Sequence, residues 1–211
     1  MTTTHSGEGL SGVLGAVLVG GASTRFGSDK AAVMIGHRTM LQHQLATLAS
    51  AGVVERVYVG GPRREIPGAR HVVDAYPGEG PLGAIITTLA EALRVSNVAQ
   101  ANDVVVVLAV DLPLITPSTI NRLIAELVTN DAAMTNDAAV ASAQRSHWSC
   151  LAVRTAAHHA LHAAFAQGER AVHRAFASLR VARVACSEAE LLNVNDLASL
   201  NVITAQRDER R

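Results

Sequence analysis

Four stretches of this 211-residue chain combine residue types that could handle phosphate and metal. The first reads Gly20-Gly21-Ala22-Ser23-Thr24-Arg25-Phe26-Gly27-Ser28-Asp29-Lys30. A glycine pair lets the backbone turn and approach a ligand without Cβ obstruction. Backbone N–H groups in such a loop can face phosphate oxygens, and Arg25 and Lys30 add positive charge beside them. The spacing is not a Walker A loop, since Gly27 is followed by Ser-Asp, and Gly-x-Gly-x-x-Gly is missing too. A plain glycine-rich turn with two solvated basic residues stays open as the alternative.

The second stretch is the apolar run Val104–Val110 followed by Asp111-Leu112-Pro113. An acidic residue at the carboxyl end of a parallel strand faces the crevice where open α/β sheets bind ligands. It could hold a divalent cation there, and Mg²⁺ suits an oxygen ligand shared with phosphates. The other reading is a cap or turn aspartate, although the next helix starts later, near Thr116. The third stretch, Gly78-Glu79-Gly80-Pro81-Leu82-Gly83-Ala84, opens a helix whose N-terminus could face an anion or a base edge. On its own it reads equally as an ordinary turn, and Asp74 before it shares that ambiguity. The fourth is Leu192-Asn193-Val194-Asn195-Asp196, where Asn195 or Asp196 could simply cap a last helix.

Nine histidines do not form a metal pattern. His158 and His162 are an i, i+4 pair on an Ala-rich helix, without an intervening Glu or an evident third ligand, so a solvated face is the better reading. The two cysteines, Cys150 and Cys186, form no Cys-x-x-Cys pair and no disulfide framework, which fits a reducing compartment. No Gly-x-Ser-x-Gly elbow is present, and no nucleophilic triad is visible.

Positioning such residues requires a sheet. Apolar residues make up 49% and charged residues 17%, with eighteen Lys and Arg against eighteen Asp and Glu. Such a chain can bury a core and is not disordered. It has no basic excess for holding nucleic acid through counterion release. Its apolar runs fall well short of the roughly 20 residues of a membrane span, and the polar start lacks a signal-peptide pattern. A cytoplasmic protein without membrane or nucleic-acid partners is expected. Val13–Val19 and Val104–Val110, apolar on both faces, predict strands of a parallel sheet covered on two sides. Val54–Val59, His71–Val73, Ala138–Ala143, Cys150–Val153 and Val181–Cys186 are further strand candidates. Helices are predicted over Met40–Leu48, Leu82–Leu93, from Thr116 with Ile120, Leu123, Ile124, Leu127 and Val128 on one face, and over Ala156–Ala166, Arg170–Leu179 and Asp196–Ile203. This alternation is α/β. One domain over 13–204 is expected, between a flexible tail at 1–12 and a polar tail at 205–211.

The order LVGGASTRFGSDKA, GEGPLGAI, VDLP, LNVND resembles the molybdenum cofactor guanylyltransferases. More broadly, it resembles nucleotidyltransferases with a three-layer Rossmann-like fold and a mostly parallel central sheet. The family opening Leu-Ala-Gly-Gly-x-Ser-x-Arg-Met-Gly-x-Asp-Lys is matched from Leu18 to Lys30, with Val19 for Ala and Phe26 for Met. Gly168-Glu169-Arg170 and the RSHW segment around His147-Trp148 look like later family features. The chain departs from the family at Leu112, at Trp148 and at Asp196-Leu197-Ala198. The resemblance implies GMP transfer from GTP to the terminal phosphate of the molybdopterin cofactor, with pyrophosphate released. It assigns Lys30 to the α-phosphate, Arg25 to the departing phosphates and Asp111 to Mg²⁺. Leu18, Val19, Gly20 and Gly21 would meet guanine and ribose, and Asp74, Gly80, Pro81 and Leu82 would complete the nucleotide side. Asn193 and Asn195 would face the acceptor or metal, and the Gly-Gly pair favours GTP over CTP. Molybdopterin-handling proteins or recipient molybdoenzymes are the implied partners. A cytidylyltransferase, another nucleotidyltransferase, or a non-catalytic nucleotide-binding homologue are the competing readings.

Overall fold

A computed structural model of the chain describes residues 10–20, 29–96, 103–128 and 135–194. Val-rich segments with both faces apolar form the sheet they predict. Its strands are β1 (Leu10–Leu18), β4 (Val53–Val59), β5 (Arg70–Val72), β6 (Val104–Ala109), β7 (Ala138–Ser142), β8 (Ser146–Arg154) and β9 (Val181–Ala185), in the order β5-β4-β1-β6-β8-β7-β9. β8 runs against both of its neighbours, and the other strands run in one direction. A small hairpin, β2 (Met34–Ile35) and β3 (Arg38–Thr39), stands apart and leads into the first helix.

The helices cover both faces. α1 (Met40–Ser50) and α3 (Pro117–Ala125) pack on one side, and α2 (Pro81–Ser96), α4 (His158–Ala166) and the short α5 (Val172–Ala175) on the other. β1 divides its side chains accordingly: Val13 and Val17 join Leu41, Leu45 and Leu48, whereas Leu14, Ala16 and Leu18 join Leu82, Ile85 and Leu89. The mostly parallel sheet between two helical layers is the α/β architecture read from the sequence. Local chemistry starts the helices where expected. Thr39 and Gln42 form a reciprocal capping box at α1, and Thr116 caps α3 with Pro117 in its first turn.

Several boundaries move. β1 begins at Leu10, which donates from its N–H to Gly52 O at 2.8 Å, so residues 10–12 belong to the sheet and not to a tail. β5 is shifted to Arg70–Val72, leaving Val73 exposed. α3 stops at Ala125, before Val128 can share its buried face. The helix read over Arg170–Leu179 shrinks to α5 and a 3₁₀ turn at Phe176–Ser178, because Gly168 turns the chain and Glu169 ties down the N–H groups of Arg170 and Ala171. β8 is longer than Cys150–Val153 and takes in the RSHW residues from Ser146. The helix expected at Asp196–Ile203 lies outside the described residues.

Gly15, the glycine within β1, is a packing requirement. A Cβ there would stand 3.0 Å from both Leu48 Cδ2 and Val53 Cγ1. Gly15→Val is expected to overpack this layer and destabilise the fold by about 1–3 kcal/mol in urea unfolding. A change below about 0.5 kcal/mol would show that α1 yields easily.

Candidate active site

The codirectional strands finish at one edge of the sheet, and the chemistry-bearing residues gather there. Val19 donates from its N–H to Val59 O at 2.8 Å, Gly60 to Val72 O at 3.0 Å and Val110 to Leu18 O at 3.2 Å, so the β1, β4, β5 and β6 ends are locked side by side. Leu18 and Val19 are buried, with the Leu18 carbonyl and the Val19 N–H engaged in those bonds, and Gly20 is exposed. Gly21 and Arg25 lie outside the described residues.

Lys30 and Asp111 meet at this edge, with Nζ 3.8 Å from Oδ2. Lys30 opens a 3₁₀ turn, Lys30–Ala32, capped by Asp29, whose Oδ1 accepts from Ala31 N at 3.0 Å. It is the only lysine in a chain with seventeen arginines. Asp111 is held by its backbone. Its carbonyl accepts from Val194 N at 2.9 Å, and the Gln44 amide of α1 donates to Leu112 O and, at 3.4 Å, to Ala109 O. Burial pushes the Asp111 carboxyl above the usual aspartate range, with Lys30 opposing that shift.

The Val194 bond also brings Asn193 beside Asp111. Asp111 Oδ1 and Asn193 Oδ1 are both buried with no hydrogen-bond donor. A carboxylate and an amide oxygen left without donors are of the type that a hard cation takes as ligands. Asn195 lies outside the described residues. Glu190 secures this segment by accepting from Thr119 Oγ1 at 2.6 Å and Thr116 Oγ1 at 2.7 Å, at the start of α3. Burial disfavours its charge, but those hydroxyls and Ser187 hold the Glu190 carboxyl below the usual range.

On the opposite flank, Asp74 follows β5 and accepts from Tyr76 N at 3.0 Å, with Thr87 Oγ1 3.1 Å from the same oxygen. Gly80 is exposed, Pro81 starts α2, and Leu82 is fully buried. Glu79 pairs with Arg170 at 2.6 Å, joining the Gly-Glu-Gly-Pro turn to the Gly-Glu-Arg segment. The RSHW residues lie near this edge too, because β8 pairs Cys150 with Leu108 and begins beyond it. Trp148 packs on Phe176 with ring centroids 5.4 Å apart. Burial, with Arg145 adding to it, lowers the His147 pKa. Cys150 is fully buried, and burial pushes its thiol far up. His158 and His162 face each other across 5.8 Å on α4, away from these residues in the fold.

Sequence reasoning missed Arg64, Gln44 and Glu190. Arg64 follows Gly60-Gly61-Pro62-Arg63, a second glycine pair trailed by basic residues at a strand end, the same signal as Gly20-Gly21 with Arg25. Its guanidinium pairs with Asp29 Oδ2. Gln44 is 1% exposed between apolar neighbours on α1, and a polar residue on a buried helical face is the signal there. A cavity of about 350 Å³ lies elsewhere, lined by Val54, Arg56, Arg70 and Arg94, and two of those arginines pair with Glu91.

Residues 15–184 match the family model described as MobA-like NTP transferase domain. A molybdenum cofactor guanylyltransferase of Xanthomonas euvesicatoria pv. vesicatoria is 38% identical over 111 residues, 53% of this chain and 53% of that protein. This chain thus spans about half the length of that relative. A probable molybdenum cofactor guanylyltransferase of Mycobacterium marinum is 32% identical over 195 residues, 88% of this chain and 90% of its own length. Among solved structures, molybdopterin-guanine dinucleotide biosynthesis protein A from Archaeoglobus fulgidus superposes with a TM-score of 0.73 at 20% identity, over 93% of this chain and 99% of the other, which is a likeness of fold.

Because its raised pKa lies above the unfolded value, Asp111 keeps a proton in the fold at pH values where the unfolded chain has lost it. Stability therefore falls as pH rises from the ordinary aspartate range through the raised value. In buffer free of divalent ions, Asp111→Asn should raise the urea midpoint at neutral pH, with the gain fading below about pH 4. A lowered midpoint at neutral pH would mean that the Lys30 pairing outweighs desolvation.

Proposed function

Since the chain belongs to the MobA-like NTP transferase family, we propose that it transfers GMP from GTP to the terminal phosphate of the molybdenum–molybdopterin cofactor and releases pyrophosphate. The observation that carries this reading is the meeting of Lys30 with Asp111 at the carboxyl edge of the sheet, beside the unsatisfied Asn193 oxygen. An acceptor phosphate attacking the α-phosphorus in line needs no protein nucleophile, and the buried Cys150 supplies none. Positioning and charge carry the reaction.

Lys30 is the group for the α-phosphate. Its compact ammonium can follow charge that builds on the equatorial oxygens as the bond to pyrophosphate breaks. Arg25 takes the departing phosphates. Asp111 and Asn193 would hold Mg²⁺, which when bound neutralises phosphate charge. The backbone at Leu18, Val19, Gly20 and Gly21 receives guanine and ribose. Asp74 and the turn at Gly80, Pro81 and Leu82 close the nucleotide side. Asn195 joins Asn193 toward the acceptor, along with the His147-Trp148 end of β8. The Gly20-Gly21 pair supports GTP over CTP through the family resemblance, and recipient molybdoenzymes are the partners this product implies.

Turnover measured as pyrophosphate release with GTP, CTP, ATP and UTP, each with the molybdopterin cofactor, tests the reading. GTP is expected to be preferred, and preference for CTP would overturn the guanylyl assignment. Lys30→Ala and Asp111→Ala should each lower turnover at least about 100-fold. Near-parental activity in either variant would remove that residue from the mechanism.

A further inference from the structure

We propose that Arg64 is a positioning residue for this reaction, acting through Asp29 to set the place of Lys30. The inference rests on the nucleotidyl-transfer reading for its kinetic consequence, and on contacts within the protein for its geometry.

Arg64 is fixed at several points. Tyr58, fully buried in β4, accepts from the Arg64 N–H at 2.6 Å, and its hydroxyl donates to the Arg64 carbonyl at 2.6 Å. The guanidinium donates to Pro62 O at 3.0 Å through Nη1, which leaves Nη2 for Asp29 Oδ2. The preceding glycines permit this course. Gly60 and Gly61 have φ of 80° and 63°, and a Cβ would stand 2.7 Å from Val19 O or 2.8 Å from Val19 Cγ1. Only with glycine at both positions can the β4 loop cross so close over the end of β1.

Asp29 passes the constraint on. One carboxylate oxygen takes Arg64, and the other caps the turn that begins at Lys30. Lys30 then reaches Asp111. The order Tyr58, Arg64, Asp29, Lys30, Asp111 links β4, the 3₁₀ turn at Lys30–Ala32 and the end of β6. The Arg64–Asp29 pair is partly exposed, at 21% and 39%, so its contribution to overall stability is small. A pair that adds little to stability and is nonetheless anchored by a buried tyrosine has geometry as its effect.

Arg64→Met keeps the aliphatic stem and removes the charge. Asp29→Asn removes the charge and keeps an acceptor for Ala31 N. Each should lower kcat about 10- to 100-fold, the loss expected of a misplaced catalytic group, with KM for GTP within about threefold. The double variant should be no worse than the weaker single variant by more than about twofold, because both act on one link. Arg64→Lys should recover part of the rate. Unfolding midpoints should stay close to the parent.

Lys30, as the sole lysine, provides a readout that needs no substrate. Protein carrying isotope-labelled lysine gives one side-chain lysine resonance, which should shift in both single variants and no further in the double. Multiplicative kcat losses, a KM rise of about tenfold at unchanged kcat, or an unmoved Lys30 resonance in Arg64→Met would each overturn the proposal. If the parent chain transfers no nucleotide from any triphosphate, the functional reading fails, and the resonance still decides the link from Arg64 to Lys30.

Discussion

Burying an ionised carboxylate is among the more expensive things a fold can do, and here Asp111 sits desolvated at the end of a central strand. Its compensation is incomplete. Lys30, 3.8 Å from Oδ2, and the Asp111 backbone N–H oppose the effect of burial, but Oδ1 has no hydrogen-bond partner. Much of the surrounding structure serves to keep this unfavourable arrangement in place. The register of β1 against β6 brings Leu18 opposite Ala109, just before Gly20 and Asp111. Gln44 grips the carbonyls on either side of Asp111, and Val194 grips its own. A carboxylate left wanting a partner, on a rigid support, is what a ligand-binding edge requires.

The architecture was readable from the sequence wherever burial on two faces dictated residue type. Val104–Val107 and the β1 run could belong only to strands covered from both sides, and Leu41, Leu45 and Leu48 could belong only to a helix packed on one of them. Asp111 was readable for a related reason, since an acid directly after a buried strand is placed by the strand end itself, whereas Lys30 was readable only as a base following a glycine pair. Less regular segments were read poorly. Arg170–Leu179 has helical spacing, but side-chain bonds from Glu169 and the turn at Gly168 determine its course, and the Glu169 carboxyl is held down at about 2 by Arg174 and by the Ala171 and Arg170 N–H groups.

Arg64, Gln44 and Glu190 were not legible as parts of the site because they act across the chain. Arg64 and Asp29 are 35 residues apart, Gln44 and Leu112 are 68 apart, and Glu190 reaches back 71 residues to Thr119. No local period encodes such pairings. Their partners are largely backbone carbonyls and turn residues, which carry no distinctive side-chain pattern. A glycine pair after each of two neighbouring strands was the available hint, and at the second pair, Gly60-Gly61, the close approach to Val19 does require residues without Cβ.

The charge at the edge bears on what must accompany a ligand. The whole chain is neutral, and a simple phosphate site would stand out as a local basic excess. Among the described residues it does not. Lys30 and Arg64 are each paired with an acid, Asp111 and Asp29, and Asp74 adds a further carboxylate after β5, so these five side chains carry three acids against two bases. Both of those bases are already engaged by acids. A triphosphate arriving at such an edge would meet carboxylates as well as cations, and like charge at these distances is costly in a partly desolvated setting. Binding is therefore favoured only if further positive charge enters with it, from Arg25, from a divalent ion, or from both. Asp111 and Asn193 each hold a side-chain oxygen without a hydrogen-bond partner, the ligand type a divalent ion prefers, which suits the second source. The acid-rich edge, which argues against a simple anion site, is thus consistent with one that takes up nucleotide and metal together.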